Sequence, residues 1–223
     1  MSSCPDPKLL SKDISNISDH DRDEMAIPSY LHWNPLIRWL MWRRYEYISY
    51  LSGYLRKMSV LEFGCGTGVF LPELATKCTN VYAIDLFPEY AKILCKELNL
   101  EVCFKDNMTE LQDASLDIII AADVLEHLND NELDEYLAMF SKKLRSSGRL
   151  IVSGPTENII YKIGRTLAGF ANKGDYHHTN INKLIATINK RFDLQRIKSL
   201  PFTFPPYLFK VCELKQCLTK RFT

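Results

Sequence analysis

Apolar positions in this chain fall into short continuous runs separated by helical stripes, an alternation that predicts strands and helices in turn. Val60-Leu61-Glu62-Phe63 is strand-like and breaks at three alternating glycines, Gly64, Gly66 and Gly68. It resumes as Val69, Leu71, Leu74 and Ala75, a spacing that fits a helix better than a strand. Asn80 to Asp85 predicts a second strand, residues 88–98 a helix opened by Pro88, and residues 101–105 a short third strand. Leu116-Asp-Ile-Ile-Ile-Ala-Ala122 is nearly unbroken, as expected of a central strand covered on both faces. Leu133, Tyr136, Leu137, Phe140 and Leu144 mark an amphipathic helix over residues 132–145. Residues 149–153 then read as a fifth strand, ended by Gly154-Pro155, and residues 192–199 and 207–214 as two closing strands around a proline-rich turn.

Two segments stand outside that alternation. Asn34 is placed to cap a helix and Pro35 suits its first position, so a helix is expected to about Leu55, with Ile37, Leu40, Met41, Tyr45, Ile48 and Leu51 along one stripe. Trp39, Trp42, Arg43 and Arg44 spill round to the other faces. This helix reads either as a packing element that covers the sheet and lids a ligand cleft, or as an interfacial helix meeting a membrane through residues 30–50. Between the fifth and sixth strands, residues 157–180 suggest a short basic amphipathic helix followed by Tyr176, His177 and His178, and then a helix over residues 181–190. That insert, about residues 155–180, is expected to roof a substrate pocket. The expected organisation is a mobile tail over residues 1–24, a helical lid over 25–57, and one α/β domain over 58–223.

Composition narrows the class. A chain of 223 residues with 46% hydrophobic and 25% charged residues is an ordinary globular one, and a net charge of +1 argues against a bulk electrostatic hold on nucleic acid. Seven scattered cysteines without a C-x-x-C pair read as small buried thiols of a reducing compartment, and the first residues have no apolar signal segment, so a cytoplasmic location is expected.

The chemistry begins at the glycines. Strand, glycine turn and helix in that order open an α/β nucleotide-binding sheet. A dinucleotide site wants G-x-G-x-x-G and a P-loop ends in Gly-Lys-Ser/Thr; here the spacing is G-x-G-x-G and the lysine is missing. The run Glu62-x-Gly64-Cys65-Gly66-x-Gly68 resembles the first motif of the class I S-adenosylmethionine-dependent methyltransferases, a resemblance that covers about residues 58–215. It implies a Rossmann-like sheet of seven strands in the order 3-2-1-4-5-7-6, mostly parallel with the last strand antiparallel and helices on both faces. It also implies S-adenosyl-L-methionine as cofactor, held by Glu62, Gly64, Cys65, Gly66 and Gly68.

An acidic group at the carboxyl end of the second strand is where such folds hydrogen-bond ribose hydroxyls, and Asp85 stands there, with Leu86 beside it. Asp85 is equally placed to cap the following helix. The resemblance gives Asp106 the adenine amino group and Asn107 the ring, although Asp-Asn also reads as a turn pair.

Asp123-Val-Leu-Glu-His127 resembles the fourth motif of small-molecule methyltransferases of the ubiquinone-biosynthesis type, which puts Asp123 at the cofactor's reactive end. If the chain is helical from Asp123, then Glu126 and His127 share its face. A subgroup of that family binds a divalent metal at this point, but the main expectation here is no metal. Catalytic candidates are His127, Glu126, His177 and His178. The expected reaction is methyl transfer to an oxygen or carbon of a small or lipid-like molecule. The rivals are a non-catalytic S-adenosylmethionine-binding module and a NAD-dependent oxidoreductase, which the glycine spacing disfavours.

Overall fold

The computed structural model describes residues 30–158, 179–202 and 205–217. The expected helix after residue 157, with Tyr176, His177 and His178, lies outside the described residues.

Seven strands form one sheet in the order β3-β2-β1-β4-β5-β7-β6. They are β1 (Ser59–Phe63), β2 (Asn80–Ile84), β3 (Cys103–Phe104), β4 (Leu116–Ala122), β5 (Leu144–Pro155), β6 (Phe192–Leu200) and β7 (Phe209–Gln216). Strands β1 to β5 run parallel, and β7 lies antiparallel to both β5 and β6. The expected strand order is therefore the observed one.

The apolar run of β4 is buried on both faces because helices cover both. One face packs α1 (Pro35–Ser52), α2 (Leu71–Lys77) and α3 (Glu89–Glu97) over Val60, Ile118, Ile120 and Ile151. The other packs α4 (Asp130–Lys143) and α5 (Ile181–Ile188) over Leu61, Ile119, Leu150 and Val152.

Strand β5 extends well beyond the expected 149–153. Leu144 pairs with Leu116, a bulge follows, and Arg149 to Pro155 pair with Lys215 to Phe209. The helix expected over residues 132–145 ends at Lys143, and the exposed run Arg145-Ser146-Ser147 falls in the bulged stretch of β5.

Helix α1 forms where Asn34 and Pro35 place it. The Leu36 N–H donates to the Asn34 side chain at 2.9 Å, and Gly53 ends the helix at φ +66°. Met41, Tyr45, Ile48 and Leu51 enter the core, as the stripe predicts. Polar anchors add direction. Tyr45 donates to the carboxylate of Glu73 on α2 at 2.8 Å, Ser49 donates to the same carboxylate, and Lys77 joins at 2.6 Å. At the helix's carboxyl end, Arg149 and Arg196 donate to the Leu51 and Ser52 carbonyls while both pair with Glu213. No helix among the described residues is long and apolar enough to cross a bilayer.

Candidate active site at the strand tips

The register aligns the carboxyl ends of the central strands. Phe63 stands beside Ile84 on one side and Ala121 on the other, and Ala122 stands beside Ser153. The next residues of each strand, namely Gly64, Asp85, Asp123 and Gly154, therefore meet at one rim. In an open α/β sheet this rim, at the point where the strand order reverses between β1 and β4, is where ligands bind.

The glycine turn is built by close approach. Gly64 has φ +74°, and a Cβ there would lie 2.5 Å from the Val124 side chain. Gly68 has φ +76°, and a Cβ would lie 3.0 Å from Ala91 on α3. Both positions combine a left-handed backbone with no room for a side chain, so the turn folds tightly against β4 and α3.

Cys65 is buried within it, and burial, followed by Glu62, pushes its thiol far above the thiolate range. That makes Cys65 a small packing residue. Helix α2 begins only at Leu71 and is 7 residues long. Its first turn holds Pro72 and the buried Glu73, not an exposed row of N–H groups.

Asp85 closes the turn from the β2 side. Its carboxylate accepts from Gly66 N–H at 2.6 Å and from Phe87 N–H at 2.9 Å. One oxygen shapes the turn after β2 while the other reaches the glycine loop; the expected capping role falls instead to Pro88, which stands at the N-cap of α3 without a side-chain bond. Leu86 is 89% exposed beside it. Glu62 lies beneath the turn, buried, with Oε2 unpartnered among the described residues. Burial, and then Asp85, raise its carboxyl well above the usual range.

At the tip of β3, Asp106 is exposed and Glu110 accepts from its N–H at 2.9 Å. Asn107 caps a short 3-10 turn (Met108–Glu110), accepting from Thr109 N–H at 2.9 Å. The turn role expected of this pair is the one seen for Asn107.

The segment after β4 departs from the expected helix. Asp123 has φ +51°, a left-handed conformation that aspartate tolerates, and only Leu125–His127 form one 3-10 turn. The departure has a physical cause: Asp123 is pinned from both sides. It accepts from Ser153 Oγ at 2.9 Å and pairs with the buried Arg44 of α1, whose guanidinium also donates to Tyr30 at 3.1 Å. Glu126 consequently points inward, 1% exposed, while His127 is exposed. The premise that Asp123, Glu126 and His127 share one face is corrected. No group of three or more His, Cys, Asp or Glu side chains suited to a metal ion occurs among the described residues.

Glu126 Oε2 has no hydrogen-bond partner among the described residues, and burial is the largest of the effects that raise its carboxyl to about 7. Arg44 draws it down and Glu157 pushes it up. Arg44 is the site residue that sequence reasoning missed; it read as part of an outward Arg-Trp cluster, and only its helical phase beside Met41, Tyr45 and Ile48 hinted at burial. His177 and His178 lie outside the described residues. A groove of about 490 Å³ lined by Ala114, Ser141, Lys142 and Arg191 sits at the opposite, amino end of β4 and β5, away from these groups.

The fold has solved relatives. The N-methyltransferase NodS of Bradyrhizobium japonicum, in complex with S-adenosyl-L-homocysteine, superposes with a TM-score of 0.64 at 18% identity, covering 88% of this chain and 96% of that one. Magnesium protoporphyrin IX methyltransferase of Synechocystis, with bound S-adenosylhomocysteine, gives 0.60 at 19% identity, over 82% and 88% of the two chains. In sequence, the ubiquinone biosynthesis O-methyltransferase of Rickettsia akari is 29% identical over 120 residues, 49% of this chain and 47% of that protein. Phosphoethanolamine N-methyltransferase 1 of Triticum aestivum is 30% identical over 118 residues, 49% of this chain and 23% of that protein. The chain thus spans about half or less of the length of these curated relatives. The sequence profile of the methyltransferase domain matches residues 32–200, which takes in α1, the glycine turn, the rim and β6. The chain belongs to the methyltransferase domain family.

Proposed function

We propose that this protein transfers the methyl group of S-adenosyl-L-methionine to an oxygen or carbon of a small or lipid-like molecule. The observation that carries this reading is the Asp85 carboxylate held 2.6 Å from Gly66 N–H, on the tip of β2 beside the glycine turn. A carboxylate there offers two acceptors to a pair of vicinal hydroxyls.

The donor set fits the group. Asp85 would take the ribose, Leu86 and Asn107 would flank the adenine, and Asp106 would meet its amino group. The turn of Gly64, Cys65, Gly66 and Gly68, over Glu62, and Asp123 would face the methionine part. When bound, the sulfonium supplies an electrophilic methyl carbon. The chain's own task is to orient a nucleophile, exclude water and accept a proton.

For the proton we favour Glu126, whose carboxyl, raised to about 7, is poised near neutral pH. His127, exposed one residue on, and His177 and His178 are the other candidates. The seven cysteines and the near-neutral charge support a reducing, cytoplasmic setting without nucleic acid as substrate. The lid expected over residues 25–57 would act through α1, which packs on one face of the sheet and reaches the rim through Arg44.

The test is calorimetric titration with S-adenosylhomocysteine. Asp85→Ala should weaken binding by about 1–3 kcal/mol, the scale of hydrogen bonds to a charged group. An unchanged dissociation constant, or wild-type affinity for NAD in place of S-adenosylhomocysteine, defeats the reading. The acceptor is then found by incubating metabolite extracts with labelled cofactor and identifying the compound that gains the methyl group.

A further inference from the structure

All 3 tryptophans of the chain, Trp33, Trp39 and Trp42, stand within one short stretch at the start of α1. Two of them face water, with Trp33 79% and Trp39 48% exposed, and Leu36 (71%), Tyr50 (59%) and Tyr54 (71%) extend the same exposed strip. At 3.6 residues per turn, Leu36, Trp39, Arg43, Tyr47 and Tyr50 share one side of the helix. The opposite side carries Met41, Tyr45, Ile48 and Leu51 into the core. Helix α1 is therefore apolar and aromatic on both faces, and core packing accounts for only one of them. An exposed strip of this kind marks an interaction surface.

Charge narrows the occupant. Over residues 30–57 the basic residues outside the core are Arg38, Arg43, Arg56 and Lys57, and the only acidic one is Glu46, which pairs with Arg43 at 2.5 Å. The whole chain, by contrast, is almost balanced, with 28 Lys and Arg against 27 Asp and Glu. Cations and rings are interleaved on the strip. The Arg43 guanidinium lies 4.8 Å over the Tyr47 ring, and Lys198 of β6 lies 5.3 Å over the Tyr50 ring. Tryptophan and tyrosine with snorkelling basic side chains suit the boundary between water and lipid headgroups, whereas the core of a protein interface is depleted in charge.

We propose that the outer face of α1 docks on an anionic lipid bilayer surface. The orientation this imposes follows from Arg44, the buried neighbour of Arg43, which meets Asp123 at the tip of β4. The Trp33–Trp39 half of the helix thus stands beside the rim of strand tips, and Leu86 and Phe87, 89% and 42% exposed, stand at the β2 end of the same rim. A docked helix brings that rim to the lipid, where a lipid-like acceptor resides. The docking itself needs no cofactor, so it stands or falls separately from the methyl-transfer reading.

The experiment uses the full chain with vesicles of phosphatidylcholine alone and of phosphatidylcholine mixed with phosphatidylglycerol. The protein should sediment with the mixed vesicles at least about tenfold more strongly, since each basic residue near an anionic surface contributes attraction. Binding should weaken in about 0.5 M salt, where charge screening is nearly complete. Because two of the three tryptophans, Trp33 and Trp39, are exposed at this face, brominated acyl chains should quench part of the intrinsic fluorescence. The pair Leu36→Glu and Trp39→Glu should abolish sedimentation and quenching while S-adenosylhomocysteine affinity stays at the wild-type value, which separates lost docking from lost fold. Wild-type protein left in the supernatant overturns the proposal, as does undiminished vesicle binding by the variant. Self-association that the same pair abolishes, without any vesicle binding, assigns the face to a second copy and also overturns it.

Discussion

Replacing Glu126 with glutamine removes a titration that the folded protein carries at a cost. The wild-type carboxyl is 1% exposed, its Oε2 is unpartnered among the described residues, and its folded-state value is about 7 against an ordinary 4.5. Between these two pH values the folded protein holds the Glu126 proton more firmly than the unfolded chain does. Stability therefore falls as pH rises through this window, and above about 7 the penalty is fully developed. A decade of proton affinity corresponds to about 1.4 kcal/mol, so the whole window is worth about 3 kcal/mol, and the part above pH 5.5 about 2 kcal/mol.

The amide of Glu126→Gln does not titrate. Whatever fixed offset the amide brings, the stability of the variant relative to wild type should improve by about 2 kcal/mol between pH 5.5 and pH 8. Urea unfolding of both proteins at both pH values measures it, because all other titrating groups cancel in the double difference. A double difference below about 0.5 kcal/mol refutes the assignment of a raised, buried carboxyl. Methyl transfer gives a second readout: if Glu126 accepts the proton, the limb of the wild-type rate profile near pH 7 should vanish in the variant.

Three further changes are expected to be costly, each for its own reason. Glu73→Ala strands the Tyr45 hydroxyl and the Lys77 ammonium that it serves and should cost about 3 kcal/mol, lowering Tm by roughly 6–12 °C in calorimetry; a drop under about 2 °C would mean that these bonds do not fasten α1. Gly68→Ala places a Cβ 2.9 Å from Leu71 Cδ1 and 3.1 Å from the Ala91 Cα at φ +76°, so urea unfolding should register a loss of about 2–4 kcal/mol. Arg44→Ala leaves Asp123 without its buried cation and should cost about 3–5 kcal/mol by the same assay, with wild-type stability counting against the pairing.

Much of the architecture was legible because it is written in local signals. The β4 run from Leu116 to Ala122 is bounded in the structure as its apolar letters predict, and Asn34-Pro35 starts α1 where capping chemistry demands. Asp85 at the glycine turn followed from strand-end spacing. What was not legible depends on partners distant in sequence. The helical stripe runs on to Leu144, yet that residue leaves the helix after Lys143 to pair with Leu116 of β4. The left-handed turn at Asp123 requires Arg44, seventy-nine positions earlier, and Ser153 on the next strand. Once that residue turns the other way, Glu126 goes inside and His127 outside, a distinction that helical counting from Asp123 cannot draw. The second use of α1 was visible as Trp and Arg letters, but only burial separates Arg44 from Arg43.

The two arginines that grip the end of α1 bear on where the chain can be cut. A fragment starting at Met58 would keep every strand yet lose Tyr45, Ile48 and Leu51 from above Val60, Ile151 and Val211, leaving a greasy sheet face open to solvent. Arg149 and Arg196 would lose the Leu51 and Ser52 carbonyls that complete their coordination around Glu213. The smallest piece worth producing by recombinant expression therefore begins ahead of Tyr30, and a catalytic half trimmed to the glycine turn should come out as inclusion bodies.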